Sequence, residues 1–307
     1  MSVQNNKTEY ANSVFEQPWF LDAVCDGQWK EMKIEDNGKI VARWAIAYNG
    51  KKIFMPEMTQ TLGFWIDPEL KESRRRSIIL ELIQKLPNHR SFCVMLHPEN
   101  DDFLPFIWNG YHVKPRVTYR FDDLTDPEAI EKGYSRGLKS NIHQAKKVVT
   151  IIEEDNVERL YALLESTFRA QKRSYPTPKK EIQKLFEAGL ENNACKILTA
   201  IDENGNAHAS SLFLYDEKTC YYLLSGADRK YQASRAPALI LDTAIQFASK
   251  VSAGFDFEGS MIQGIENFFR RFGAKRTVYY EISKKNLVGE IEDVLKPRVK
   301  KLLGYKM

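Results

Sequence analysis

No run in this sequence reaches the roughly 18 consecutive apolar residues that a membrane helix needs. Residues 1–10 are polar and hold no apolar core of a secretory leader. A cytoplasmic, bacterial-type protein is therefore expected. Cysteine is scarce. The four present (Cys25, Cys93, Cys195 and Cys220) lie far apart with no C-x-x-C pair. That spacing fits neither a zinc knuckle nor a disulfide framework, so buried free thiols are expected. The five histidines are scattered, with no H-E-x-x-H or similar spacing, and no metal site is expected. Walker A, dinucleotide-binding and G-x-S-x-G glycine patterns are absent from suitable contexts. A net charge of +4 and a pI near 8.6 are too weak to mark a nucleic-acid binder on their own.

What is present suits a globular enzyme. The chain has 307 residues, 43% hydrophobic and 12% aromatic, enough for two domains with their own cores. Strand signals run over 29–34, 39–48 and 51–58, broken at Asn37-Gly38 and Asn49-Gly50. Asn-Gly between apolar runs marks a hairpin, because a type I′ turn needs positive φ at both central residues. Asp67 as N-cap and Pro68 in the first turn predict a helix start, with Ile78, Ile79, Leu82 and Leu86 on its apolar face. A strand over 92–96, a helix over 101–108 and a strand over 111–121 follow.

After helices over 158–173 and 179–191 the same order recurs. Strands over 195–201, 208–215 and 219–225 precede a helix over 236–250, a strand over 255–257, a helix over 263–271 and a strand over 276–282. Phe92 and Phe255 are 163 residues apart, as are Gly110 and Gly273. Asn37-Gly38 and Asn204-Gly205 are 167 apart. Self-similarity at a fixed offset predicts a duplicated domain. The expected fold is mixed α/β, with one domain over 1–125, a second over 130–287, and a terminal helix over 288–303.

A three-stranded meander, a helix and a strand parallel to the meander's last strand form the core order of the GNAT acyltransferases. Their two parallel strands splay, and the acyl donor enters the gap. Backbone N–H groups there can polarise an acyl carbonyl, while the helix N-terminus faces the donor's phosphates. In the second half this gap falls between 222–227 and 256–260. The phosphate-facing helix starts near Ser234, Arg235 and Ala236. In the first half, Asp67 and Glu69 at the comparable helix would repel phosphate, so the donor site is expected in the second half.

Three stretches carry a closer resemblance. They are Asp256-Phe257-Glu258-Gly259-Ser260 with Phe268-Phe269-Arg270-Arg271-Phe272-Gly273-Ala274, the helix opening at Ser135-Arg136-Gly137-Leu138, and Tyr221-Tyr222-Leu223-Leu224-Ser225-Gly226-Ala227. Together they resemble the Fem-like double-GNAT family, which includes aminoacyl-tRNA-dependent enzymes of peptidoglycan precursors and a broader group of N-acyltransferases. The resemblance implies two tandem GNAT-like domains, with the C-terminal segment 288–307 packed on the first. It implies an acyl-CoA or aminoacyl-tRNA co-substrate rather than a tightly bound cofactor, and an amine acceptor such as a cell-wall precursor, with tRNA as a further partner. Two departures stand out. The span from Glu158 to Asn192 is too short for the long helical arm of the bridge-building Fem factors. Gln232-Ala233-Ser234-Arg235-Ala236-Pro237 also replaces the coenzyme A fingerprint Q/R-x-x-G-x-G/A.

Candidate residues follow. Asp256 and Glu258 alternate along a strand end and are expected on one side of the sheet, as base or ammonium-binding groups. One of Tyr221 and Tyr222 is expected in the core and the other, taken as Tyr222, in the cleft. Ser225, Gly226, Arg229, Lys230, Ser234, Arg235 and Ala236 are candidates for donor binding. Arg169, Lys172 and Arg173 precede a Pro-rich loop that borders the acceptor pocket in the resembling family. Arg136, Lys139, His143 and Lys146 make a basic stripe on one helix face, suited to phosphates or simply solvated. The general acid is unassigned. A catalytically degenerate GNAT-fold binding module is the alternative reading.

Overall fold

The computed structural model describes residues 10–259 and 261–286. The terminal helix expected over 288–303, and Ser260, lie outside them. The helices are α1 (Pro18–Cys25), α2 (Glu72–Lys85), α3 (Leu104–Trp108), α4 (Pro127–Gly133), α5 (Arg136–Ala145), α6 (Glu158–Arg169), α7 (Lys179–Glu191), α8 (Ala236–Ala248) and α9 (Gln263–Arg270). The strands are β1 (Trp29–Asp36), β2 (Lys39–Asn49), β3 (Lys52–Phe54), β4 (Phe64–Ile66), β5 (Ser91–Met95), β6 (His112–Phe121), β7 (Thr150–Glu154), β8 (Cys195–Ile201), β9 (Ala207–Tyr215), β10 (Thr219–Ala227), β11 (Gly254–Asp256) and β12 (Lys275–Lys285).

The doubled element order is present. The β1–β2 hairpin closes at Asn37 and Gly38, both at positive φ (52° and 77°), as a type I′ turn requires. Several expectations are corrected. The helix after Asp67-Pro68 begins only at Glu72, with Lys71 as N-cap. The Asp67 carboxylate instead takes Lys39 Nζ at 2.7 Å and the Glu69 N–H at 3.0 Å, and so holds a turn. The third strand shrinks to Lys52–Phe54, and the helix expected from 101 starts at Leu104. Strands β4 and β7 were not anticipated. Each is short, and the tertiary pairings with β2 and β8 sustain them.

The chain forms two compact units. The smaller takes Gly27–Pro56, Thr61–Pro115 and the chain from Tyr279, and its sheet runs β1-β2-β3-β5-β12 with β4 also on β2. Trp44, Phe64, Phe92 and Phe106 fill its core. The larger takes the chain up to Asp26, Glu57–Gln60 and Arg116–Val278, and its sheet runs β6-β11-β10-β9-β8-β7. Each sheet thus closes with the last strand of the other repeat. Within the larger unit, β11 pairs in parallel with β10 and antiparallel with β6. The α8 helix packs through Leu239, Ile240, Leu241, Ala244 and Ile245 into a core shared with Phe213, Phe255, Phe257 and Phe272. Phe15, from the first residues of the chain, packs on the Tyr221 ring at 4.7 Å.

Candidate active site

Strands β10 and β11 stay together for three residue pairs only, Thr219–Tyr221 against Gly254–Asp256. After that β10 continues to Ala227 while the other chain turns away. Two features open the gap. First, Glu258 and Gly259 both take left-handed backbone, with φ of 57° and 59°. At Gly259 a Cβ would lie 2.1 Å from the Val117 carbonyl oxygen on β6, so glycine alone fits. Second, the pairing of β10 with β9 slips between Tyr222 and Leu224, which leaves Leu223 as a bulged residue. A bulge re-aims side chains and leaves its residue outside the ladder.

The gap is a cavity of about 450 Å³ lined by Tyr222, Leu223, Ser225, Pro237, Phe257, Glu258 and Phe268, among others. Phe257 anchors its floor, with ring centroids 5.3 Å from Phe269 and 5.1 Å from Phe272. Glu258 Oε1 is buried with no hydrogen-bond partner. Burial holds the Glu258 carboxyl well above the ordinary glutamate range, and the nearby Asp256 charge adds to this. Burial also raises the Tyr222 phenol, whose hydrogen-bonding neighbours are the Ser225 and Ser211 hydroxyls. Those two serines bond to each other at 3.0 Å.

A second cavity of about 440 Å³ shares Pro237 and Phe268 with the first, so the two adjoin, and together they are called the groove. Asp228, Arg229, Ser234, Arg235 and Arg271 line it, together with the first turn of α8, Asn141 of α5, Thr167 of α6 and Gln171 just beyond that helix. Arg235 is left-handed (φ 59°) and turns the 3₁₀ segment Arg229–Ser234 into α8. Three arginines against the one carboxylate of Asp228, beside a helix N-terminus, leave a net positive wall suited to phosphate. His208 also lines this cavity. Its ring stacks on Tyr231 at 4.0 Å, and its Nε2 lies 3.3 Å from Asp202 Oδ2. Hydrogen bonds from Asn206 hold the Asp202 carboxyl down to about 2.

The other candidates sort by position. Tyr221 is the core tyrosine and Tyr222 the groove tyrosine. Asp256 does not share a side with Glu258, because the left-handed corner ends the strand alternation. It is 1% exposed and lines neither cavity. Gly226 is a packing residue, since a Cβ there would lie 2.4 Å from the α6 backbone at Leu163 and Leu164. Ala236 opens α8 just behind the wall, and its N–H reaches Ser234 Oγ at 3.4 Å. Lys230 turns aside onto the Tyr231 hydroxyl. Arg169, Lys172 and Arg173 are exposed and line neither cavity, and Arg173 lies over the Phe168 ring at 5.6 Å. Arg136, Lys139, His143 and Lys146 are all solvent-facing on or just beyond α5. Lys139 donates to the Lys132 carbonyl, and Lys146 lies 3.6 Å from Asp242.

Groove residues that sequence reasoning missed include Asn141, Thr167, Gln171, His208, Asp228, Tyr231 and Arg271. In the helix expected over 158–173, Thr167 and Gln171 stand four apart on one face; that spacing was the readable signal, although α6 ends at Arg169 and Gln171 lies in the turn beyond it. Among the described residues no group of three or more His, Cys, Asp or Glu is placed to hold a metal ion. No helix there is long and apolar enough to cross a membrane.

Residues 119–259, which carry most of this groove, match the family model of the acetyltransferase (GNAT) domain. That segment is similar to GNAT-type domains and has their fold. The fold of the whole is Fem-like. The crystal structure of FemX superposes with a TM-score of 0.68 at 10% identity, covering 90% of this chain and 93% of that one. L-PGS from Bacillus licheniformis gives 0.55 at 13% identity, covering 92% and 96%. A tandem GNAT protein from the clavulanic acid biosynthesis pathway gives 0.50 at 11%, covering 83% and 82%. No curated protein matches the sequence.

Proposed function

We propose that this protein is an N-acyltransferase that moves an acyl or aminoacyl group from an activated, phosphate-bearing donor to an amine. The observation that carries the reading is Glu258. It is a carboxyl with an unpartnered buried oxygen, delivered into the gap where β10 and β11 separate. The donor site belongs to the 130–287 half, and 1–125 serves as acceptor-binding region or scaffold. The GNAT match supports acyl-CoA as donor. The Fem-like fold keeps aminoacyl-tRNA as the other donor class, and a cell-envelope precursor as acceptor class.

The donor's phosphates sit against Arg229, Arg235, Arg271 and the start of α8. Its ester or thioester carbonyl lies by the bulge, where a backbone N–H polarises the oxygen. The acceptor amine attacks the carbonyl carbon, and Glu258 takes the proton it releases. The tetrahedral intermediate collapses with loss of the thiolate or alkoxide. Tyr222, kept protonated by burial, supplies the leaving group with its proton. Positioning and fixed dipoles provide the rest of the rate.

The test is transfer of labelled acetyl from acetyl-CoA and of labelled aminoacyl from charged tRNA to a panel of amines. One donor is expected to react, with Glu258→Gln lowering kcat by roughly 10²–10⁴-fold. Binding of a donor without transfer to any amine would leave the non-catalytic binding module. Full activity in Glu258→Gln would remove Glu258 as the base.

A further inference from the structure

Asp256 is a buried carboxylate with four polar partners, and these partners explain its neighbour. Its Oδ1 accepts from Thr118 Oγ1 at 2.5 Å, Gln60 Nε2 at 3.1 Å and the Glu258 N–H at 2.7 Å. Its Oδ2 faces Arg120 Nε at 3.6 Å. An oxygen filled by three donors, on a side chain that lines neither cavity, is badly placed to take a proton from an acceptor. The Glu258 N–H it holds belongs to a non-glycine residue in left-handed backbone, a conformation that costs about 1–2 kcal/mol. A carboxylate that caps the amide two residues on is the standard way to hold such a corner.

We infer that Asp256 is the positioning residue of this site. Its Oδ1 pins the corner that delivers Glu258 to the groove, and its buried charge stands behind the Glu258 carboxyl. Gln60 and Thr118, both from outside 130–287, fix it there. The inference rests on the reading of Glu258 as base. It also gives the short segment Glu57–Gln60 a role. That segment joins the larger unit, where Glu57 accepts from Thr177 Oγ1 at 2.7 Å and Gln60 reaches Asp256.

The electrostatics act in one direction. A like charge favours protonated Glu258. Burial raises the Asp256 carboxyl itself, while Arg120 on β6, Thr118 and Gln60 act to keep it ionised. Tyr221 and Tyr222 on β10 are neutral phenols raised by burial. Glu266 on α9 is engaged by the Tyr119 hydroxyl. Asp256→Asn keeps Oδ1 as the acceptor for the corner and removes the charge.

The full-length protein labelled with [5-¹³C]glutamate is titrated by NMR, with Glu258→Gln identifying the Glu258 signal. In the wild type this signal is expected to titrate well above the ordinary glutamate range. In Asp256→Asn the midpoint is expected to drop by roughly one unit, and the acid limb of kcat to move with it. Gln60→Leu strips a donor from ionised Asp256. It is expected to shift the midpoint the same way by less, and it covers the case in which the asparagine variant fails to fold. An unmoved midpoint in a folded variant overturns the inference. So does loss of activity with an unmoved acid limb, the mark of a purely structural role. The titration needs no substrate, so failure of acyl transfer sinks the proposed activity alone, and an unmoved midpoint beside active transfer sinks only the role given to Asp256.

Discussion

Glu258 is held where it costs stability. Its carboxyl ionises less readily in the folded chain than in the unfolded one. The folded state therefore binds more protons over the window from the ordinary glutamate range up to the raised value. Stability from this group is full below that window and is lost as pH rises through it. Glu258→Gln removes the titration. Above the window the variant is expected to have a higher Tm than the wild type, and below it the two should converge. A pH series of thermal melts checks this, and a variant that is less stable at neutral pH would refute it. Neighbouring glycines point the other way. Gly226→Ala would push a methyl group into the α6 backbone at 2.4 Å, with an expected loss of about 1–3 kcal/mol. Denaturant midpoints at unchanged m-value would show it. From the sequence Gly226 looked like a donor-site residue, because a motif records that a glycine is present but not which backbone crowds it.

At the scale of elements, the start of α8 is where charge and backbone can be separated. Arg235 sits at φ 59°, a conformation glycine adopts freely. Arg235→Gly should therefore keep the turn and remove only the guanidinium. Donor affinity is expected to fall roughly tenfold, about 1.4 kcal/mol, with a shallower salt dependence. Affinity that is unchanged by calorimetry would take Arg235 out of the phosphate wall. The bulge at Leu223 allows a sharper test. Deleting Leu223 restores a regular ladder with 224–227 still on their present β9 partners, and removes the bulge that opens the gap. Activity should vanish while far-UV circular dichroism is retained. The hairpin at Asn37-Gly38 was readable because its turn chemistry is local. The start of α2 was not. Asp67-Pro68 has the letters of a helix cap, but Lys39, 28 residues away in sequence, claims the carboxylate.

At the scale of the whole molecule, each sheet ends with a strand from the other repeat. Thr118 and Arg120, which fix Asp256, lie on β6 and so precede 130–287. A fragment over 130–286 leaves β11 with an open edge and Asp256 without these partners. It is expected to show no cooperative thermal transition, and a transition at the full-length Tm would contradict this. By itself the sequence determined the element order, the repeated order of the two halves and the carboxylate at the end of a buried strand, while the splay of the strand pair came from the GNAT resemblance. The first three follow from hydrophobic period, turn residues and a constant offset, all carried by neighbours along the chain. Only the tertiary structure decided which of two adjacent acids enters the groove. It also decided which face of α6 lines it and which strand closes each sheet. Those outcomes depend on left-handed φ at Glu258, on Val117 lying against Gly259, and on pairings between residues more than a hundred positions apart. No local pattern encodes them.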